Sequence, residues 1–181
     1  MTHKTQPDDG ILEQRGDRWR VVFTRTLAHP PEKVWRALIE PEHLSGWFPT
    51  EIIGDRTAGA ALRFEFRERQ YPGFDGRMLA CDPPRLLEFE WGEDVLRFEL
   101  TPNGSGTVLT LTDTLGELGK AARDGAGWHE CLDKFGYVLD GTESPWDGSD
   151  RWRMVHPGYL ERFGPDASTL GPPQGHPAAD S

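Results

Sequence analysis

The middle third of the sequence is the feature that most restricts the fold, because it contains a series of short segments in which apolar and polar residues alternate. Large apolar residues occupy every second position at 62–66, 87–91, 96–100 and 109–111. A period of two is typical of half-buried β-strands, and the short intervals between the segments favour antiparallel neighbours. Two more strands are predicted, at 18–27 and 76–82. We therefore expect an antiparallel sheet of six to seven strands.

The parity of the apolar positions restricts how these strands pair, because residues that face each other across an antiparallel ladder lie on the same face. We expect Trp91 to pair with Leu96 across a four-residue loop. We also expect Leu100 to pair with Leu109 across a turn at 103–106, where Asn and Gly residues favour a reversal. In segment 76–82, alternation leaves two possibilities open for the inward-facing residues: Met78 with Ala80, or Leu79 with Cys81.

After Thr114 the apolar period changes from two to that of an α-helix. Apolar residues at 128, 131, 132, 135, 138 and 139 predict a long amphipathic helix over about 125–140. Asp124 is a plausible N-cap, and Gly141 is a plausible end. On the opposite side, His129 and Asp133 are expected to form an exposed pair.

Shorter helical segments are predicted on either side of this pattern. Two short helices follow the first strand, from Pro31 and from Pro41, and a last helical segment near 150–163 is expected to pack back on the domain. The predicted architecture is α+β: a curved sheet that wraps around one long helix near the C-terminus.

Composition limits both the domain organisation and the type of partner. The chain has 181 residues, 36% of them hydrophobic, which suits one folded domain. We expect this domain at 12–164, with a flexible N-terminus at 1–11 and a disordered tail at 165–181 that is rich in Gly and Pro. The net charge of −10 argues against nucleic-acid binding. Without a signal region or an apolar run long enough to span a bilayer, the chain is expected to be cytoplasmic and not inserted in a membrane.

Four sequence motifs, in order, resemble the START-like or SRPBCC superfamily, in the branch related to the activator of the heat-shock-protein-90 ATPase. The motifs are AHPPEKVW at 28–35 with the following Trp47 and Phe48, CDPPRLLEFEW at 81–91, GSGTVLTLT at 104–112 and GWHECLDKF at 127–135. About 130 of the 181 residues are covered. The resemblance implies the helix-grip fold of that superfamily.

The resemblance implies a function only in broad terms, because the superfamily includes carriers of hydrophobic ligands, aromatic polyketide cyclases and co-chaperones. The leading hypothesis is a carrier that binds a small hydrophobic molecule between the sheet and the long helix. A polyketide cyclase or hydrolase with a buried acid or base is the alternative, and a co-chaperone-like interaction module is the third. A monomer or a homodimer is expected.

The predicted lining of this cavity consists of large apolar side chains from both sides of the interface. These residues could instead pack together as a solid core. They are Trp47, Phe48, Phe64, Phe66, Met78, Phe89, Trp91, Phe98, Trp128, Cys131, Leu132 and Phe135. Three charged residues are expected near the mouth, namely Arg63, Glu65 and Arg77, and the segment 69–74 is a candidate portal loop.

No motif for catalysis, a metal or a cofactor emerges from the sequence. His129-Glu130-Cys131-Leu132-Asp133 lacks the second histidine of a zinc-binding helix motif. The two cysteines, Cys81 and Cys131, have no CxxC partner and are expected to be reduced, buried thiols. We therefore assign no catalytic residue, no metal ligand and no cofactor from the sequence.

Overall fold

The fold is dominated by one antiparallel sheet. The computed structural model describes residues 4–68 and 71–171. Within these ranges eight strands pair in the order β1-β2-β8-β7-β6-β5-β4-β3. The strands are β1 (Ile11–Arg15), β2 (Arg18–Leu27), β3 (Thr50–Ile53), β4 (Ala61–Phe66), β5 (Phe74–Asp82), β6 (Leu86–Trp91), β7 (Asp94–Asn103) and β8 (Gly106–Thr114). β1 and β3 are additional to the predicted strands. Both are short, and neither has the apolar alternation by which the other strands were predicted.

The helices connect and cover this sheet. The four α-helices in the described ranges are α1 (Pro31–Ile39), α2 (Pro41–Leu44), α3 (Ala121–Asp140) and α4 (Asp150–Phe163), and 3-10 turns occupy Leu118–Lys120 and Pro165–Ala167. The sheet curves around α3, which confirms the predicted helix-grip architecture. None of these helices has the length and apolar character needed to cross a membrane.

The observed pairing confirms one predicted hairpin register and corrects another. Leu100 pairs with Leu109, as expected. Trp91, however, pairs with Asp94 rather than with Leu96, so the turn contains two residues instead of four. A shift of two positions preserves the parity of the strands, and apolar alternation alone could not distinguish the two registers. The shorter turn brings Asp94 into the ladder, on the inner face.

β5 resolves the ambiguity that alternation left open. Met78 is 1% exposed, whereas Leu79 lies on the outside. A register shift between Met78 and Ala80 then allows Cys81 to pair with Leu87, which is itself buried. A β-bulge changes which side chains face inwards along one strand, so each of the two alternatives applies to part of β5.

The long helix α3 begins earlier than the sequence pattern indicated. Its N-cap position is Lys120 rather than Asp124, which lies in the first turn of the helix. The end at Gly141 agrees with the prediction, and its φ of 69° is a left-handed conformation that favours glycine. The carboxylate of Asp124 therefore does not cap α3, and it has a different environment, described below.

On the polar side of α3, His129 and Asp133 form the predicted pair, with His129 Nε2 3.4 Å from Asp133 Oδ2, but the pair is covered rather than exposed. α4 and residues near the N-terminus cover this side, and His129 is only 4% exposed. His129 Nδ1 lies 2.8 Å from the hydroxyl of Tyr159, and Asp133 accepts hydrogen bonds from Arg25 and Arg151, each at 2.7 Å. Burial alone would raise the pKa of Asp133, but the hydrogen bonds from His129 and Arg151, together with nearby Arg25, hold it below its ordinary range.

The packed part of the chain extends beyond the expected boundaries at 12 and 164. Before β1, the backbone N–H of Gly10 donates a hydrogen bond of 2.8 Å to the buried hydroxyl of Tyr159. After α4, Ala167 is 1% exposed, and the backbone N–H of Leu170 donates to the carbonyl of Gly119. Both ends of the described chain thus pack against α3, α4 or the turn that precedes α3.

The Tyr159 hydroxyl gives a first test of this packing. Tyr159→Phe keeps the ring but leaves the buried Gly10 N–H without its acceptor, so we expect a loss of about 1–3 kcal/mol in the free energy of unfolding. Urea denaturation measures this value. Tyr137 is half-buried and its hydroxyl makes no hydrogen bond within the described residues, so Tyr137→Phe should change stability little. Equal stability of the two variants would contradict the assignment.

Candidate functional site

Eight of the twelve side chains predicted to line a cavity instead pack against one another in the core. The rings of Trp47 and Phe135 lie 4.8 Å apart between centroids, and those of Phe64 and Phe89 lie 5.7 Å apart. The eight residues are each at most 4% exposed, and they are Trp47, Phe48, Phe64, Met78, Phe89, Phe98, Leu132 and Phe135. The interface between the sheet and the middle of α3 is therefore a close-packed core.

A pocket of about 400 Å³ lies at one end of this interface, next to the first half of α3. The other four predicted residues line it: Phe66, Trp91, Trp128 and Cys131. Two further aromatic residues complete the apolar wall, Phe74 from β5 and Trp152 from α4. A pocket of this size is within the range of small-molecule sites, which is roughly 300 to 1,000 Å³.

Trp91 is the centre of the aromatic wall. Its ring contacts those of Phe74 at 4.8 Å and Trp128 at 5.7 Å, in edge-to-face arrangements. Trp91 is the last residue of β6, and Trp128 faces it from α3. Such contacts fix the ring planes, so the wall is preformed and presents flat apolar surfaces to the pocket.

Three aspartates form the polar end of the site. Asp94 is the first residue of β7, Asp113 lies near the end of β8, and Asp124 lies in the first turn of α3. One carboxylate oxygen from each lies within 4.8 Å of the other two. Asp94 and Asp124 line the pocket, and Asp113 is completely buried.

The hydrogen bonds of this group are incomplete. Asp113 Oδ2 accepts from Trp128 Nε1 at 3.0 Å, and Asp94 Oδ1 accepts from the backbone N–H of Gly116 at 2.9 Å and from Lys120 Nζ at 2.5 Å. The second oxygen of each carboxylate, Asp94 Oδ2 and Asp113 Oδ1, is buried and has no hydrogen-bond partner among the described residues. Two buried acceptor oxygens without a hydrogen-bond donor destabilise the folded state unless a proton or a cation lies next to them.

The surroundings raise the pKa of the carboxyl groups. Burial raises the pKa of Asp113 well above its ordinary value, and the neighbouring Asp94 carboxylate raises it further. Burial also raises the pKa of Asp124, although the hydrogen bond from Arg123 opposes this effect. Burial would lower the pKa of Lys120, but its hydrogen bond to Asp94 and the nearby carboxylates outweigh burial and raise it.

The balance of charges among these residues indicates whether a proton or a metal ion neutralises the two unpartnered oxygens. The three carboxylates face two basic groups, because Lys120 pairs with Asp94 and Arg123 Nε lies 2.8 Å from Asp124. One negative charge is left without a counter-charge. A single proton between Asp113 and Asp94 neutralises it, whereas a divalent cation would leave the group positive. Carboxylate oxygens can hold a metal ion, but this balance favours the shared proton.

Sequence reasoning missed these aspartates, although the signal was present. Asp94 continues the inward parity of Leu96 and Phe98, and Asp113 continues that of Leu109 and Leu111. A carboxylate at an inward-facing strand position is unusual, because charged groups are rarely buried without a partner. The predicted loop after Trp91 had placed Asp94 outside the ladder.

The residues expected at the cavity mouth do not line this pocket. Arg63 donates to Glu65 at 2.6 Å and to Asp75 at 3.1 Å, away from the pocket, and Arg77 is exposed. In the candidate portal segment, Arg69 and Gln70 lie outside the described residues. Phe74, at the end of that segment, does line the pocket.

The cysteine and the histidine of α3 do not form a nucleophilic site. Both cysteines are free thiols, and burial raises the pKa of Cys131, so this thiol stays protonated. His129 is on the other side of the helix, in contact with Tyr159 and Asp133. The carboxyl groups with a raised pKa at the pocket are thus those of Asp113, Asp124 and Glu130, and burial is the main cause for each.

The fold and this site define the chain as a helix-grip α+β protein, a class whose architecture supports a ligand-binding or cyclase-type domain. More narrowly, a sequence model of the family described as Activator of Hsp90 ATPase homolog 1-like protein matches residues 28–140. The chain belongs to this family, as the four sequence motifs suggested. The match includes most of the pocket but ends before α4, which contributes Trp152.

Solved structures of similar fold extend the match to most of the chain. A conserved protein of unknown function from Enterococcus faecalis, EF2215, superposes with a TM-score of 0.70 at 21% identity, covering 85% of this chain and 90% of its own. CalU16 from Micromonospora echinospora gives a TM-score of 0.69 at 25% identity, covering 86% of this chain and 95% of its own. No curated protein matches the sequence significantly.

The raised pKa of Asp113 predicts a specific pH dependence of stability. The folded protein retains a proton that the unfolded chain releases near pH 4, so the stabilisation from this group is full below about pH 4 and declines as the pH rises through the folded pKa. The slope for one proton is at most about 1.4 kcal/mol per pH unit. Asp113→Asn, whose amide can accept from Trp128 and donate to Asp94, should remove this slope.

Urea denaturation between pH 4 and pH 8 measures the difference between Asp113→Asn and the unmodified protein. We expect the variant to gain relative stability as the pH rises. Asp17→Asn, at an exposed turn, serves as the control and should follow the unmodified protein. A stability difference that stays constant over the whole pH range would show that Asp113 is ionised throughout.

Proposed function

We propose that this protein binds a small hydrophobic molecule with a flat ring system in the pocket beside α3. The observation that carries the proposal is the preformed aromatic wall around a cavity of about 400 Å³. Flat rings from three strands and two helices meet there, and they suit a ligand that stacks or packs edge-to-face. The expected contact residues are the four predicted ones that line the pocket, together with Phe74 and Trp152.

The pocket is large enough to bind a two-ring molecule through burial of apolar surface, without a covalent bond. A two-ring molecule that hides about 250 Å² of apolar surface gains about 6 kcal/mol before the entropy cost of binding is subtracted. A net binding energy of 4.1 kcal/mol corresponds to a Kd of about 1 mM, so a Kd below the millimolar range requires the cost of binding to stay below about 2 kcal/mol, which a preformed wall favours. This reasoning supports a binding or carrier protein.

An enzyme of the cyclase or hydrolase type is the second candidate function, and the Asp94–Asp113 pair favours it. Such an enzyme needs a buried group that moves a proton, and a protonated carboxyl group next to an apolar pocket meets that requirement. Turnover of an aromatic polyketide, lost in Asp113→Asn while binding is retained, would promote this candidate over the carrier.

Blocking the pocket tests the binding proposal directly. Gly127 lies on α3 and lines the pocket, and a side chain added there would have its nearest neighbour, Trp152 Cδ1, at 4.0 Å. Gly127→Leu should fill the pocket while favouring the helix by about 1 kcal/mol. Isothermal titration with naphthalen-2-ylmethanol, a neutral two-ring probe, should then show binding weakened by about tenfold or more.

Gly136→Leu is the matched control for this variant. Gly136 is also on α3, but nothing lies within 4 Å of the added Cβ and the residue is not part of the pocket lining. Both variants should unfold at a higher temperature than the unmodified protein, and only Gly127→Leu should lose the probe. If the probe binds equally to all three proteins, or to none, the pocket is not the binding site proposed here.

A further inference from the structure

The polar end of the pocket indicates the kind of head group that its ligand carries. Four acidic residues line the pocket, and two basic residues accompany them: Glu93, Asp94, Asp124 and Glu130 with Lys120 and Arg123. The completely buried Asp113 adds a further carboxyl group behind Asp94. The site is therefore electronegative, and an anionic ligand would meet repulsion there.

The basic side chains of the pocket are already paired with carboxylates. Lys120 Nζ lies 2.5 Å from Asp94, and Arg123 Nε lies 2.8 Å from Asp124. Glu130 accepts the backbone N–H of Trp152 at 2.9 Å and also lies 3.8 Å from Lys134. These contacts use the positive charge at the pocket. Glu93 has no ion pair among the described residues, so Glu93 and the Asp94–Asp113 pair are the groups of the site without a basic partner for every negative charge.

The strands that hold the pair supply no further charge from their paired positions. Opposite Asp113 are Val21 of β2 and Leu96 of β7, and opposite Asp94 is Trp91 of β6. The charged groups that face the pair come from the turn and the first part of α3, as described above. The two unpartnered oxygens, Asp94 Oδ2 and Asp113 Oδ1, thus need a proton or another positive group.

The aromatic wall next to the pair suits a cation as well as an apolar ring. The faces of tryptophan rings attract positive charge within about 6 Å, and Trp91, Trp128 and Trp152 all line the pocket. Trp128 donates its Nε1–H to Asp113, and a hydrogen bond to a carboxyl group makes the indole ring richer in electrons. The aromatic rings and the carboxyl groups together favour binding of an ammonium group that is attached to an apolar ring body.

We propose that the ligand of this pocket is an amine with an aromatic or other ring body, and that its ammonium group binds next to Asp94, on the pocket side of the Asp94–Asp113 pair, and displaces the proton of that pair. The inference rests on the proposed ligand-binding function and specifies its ligand class. On binding, the carboxyl pair releases one proton to the solvent, and the incoming positive charge neutralises the pair instead. The total charge of the site is the same before and after binding.

Three probes with one ring system and different head groups test the proposal. They are naphthalen-2-ylmethylamine, which is a cation, naphthalen-2-ylmethanol, which is neutral, and 2-naphthoate, which is an anion. At pH 8 the amine should bind about tenfold more tightly than the alcohol, and the anion should bind most weakly. The preference for the amine should shrink as the pH falls, because protons then compete for the pair.

Calorimetric titration in two buffers of different ionisation enthalpy, at pH 5 as well as at pH 8, measures the released proton directly. We expect proton release with the amine and none with the alcohol. Asp94→Asn and Asp113→Asn should bring the amine to within about twofold of the alcohol, because each removes the surplus negative charge while leaving the aromatic wall. Glu117→Gln, which removes an exposed charge outside the pocket lining, should keep the preference.

The outcomes separate this inference from the proposed function. If the alcohol binds and the amine binds no more tightly, or binds without proton release, the ligand class is wrong and the binding function stands. Tightest binding of 2-naphthoate would likewise overturn the ligand class. If Gly127→Leu leaves the binding of every probe unchanged, or no probe binds, the pocket itself fails as the site and both proposals are overturned.

Discussion

The inward parity of the strand side chains is the constraint on which the rest of the structure depends. Every second residue of β7 and β8 faces inwards, and over most of their length these residues are Leu or Phe in a close-packed core. The same parity continues to Asp94 and Asp113, where the packing opens into the pocket. Because a strand cannot turn one side chain outwards without a bulge, both carboxylates are forced inside. The apolar core and the polar site are thus parts of one pattern.

The sequence predicted the helices and strands whose apolar residues repeat regularly. It failed where the same apolar pattern is compatible with two different strand registers. The α3 stripe, the Leu100–Leu109 pairing and the helix-grip fold were predicted and confirmed. A turn of two residues and a turn of four residues give the same parity, so the register at Trp91 was wrong by two. That error concealed Asp94. His129 was misassigned as exposed because a helix pattern does not reveal whether a later helix covers its polar side.

The predicted binding residues divide between core and pocket for a physical reason. Side chains opposite the middle of α3 are enclosed on all sides, and aromatic rings there fill the space at crystal-like density. Near the start of α3 the neighbours are the β6–β7 turn and α4, which do not close the gap between sheet and helix. The identity of a large apolar residue does not show whether it lies in the core or in the pocket. The position along α3 decides which of them, such as Trp128, reach the pocket.

The contact between Trp128 and Asp113 gives the protein an internal optical reporter. Indole emission depends on the electric field around the ring, and here the ring nitrogen donates directly to a buried carboxyl group at 3.0 Å. Replacement of a neutral carboxyl group by a carboxylate beside this nitrogen changes that field. The emission wavelength of Trp128 is therefore tied to the ionisation state of the site.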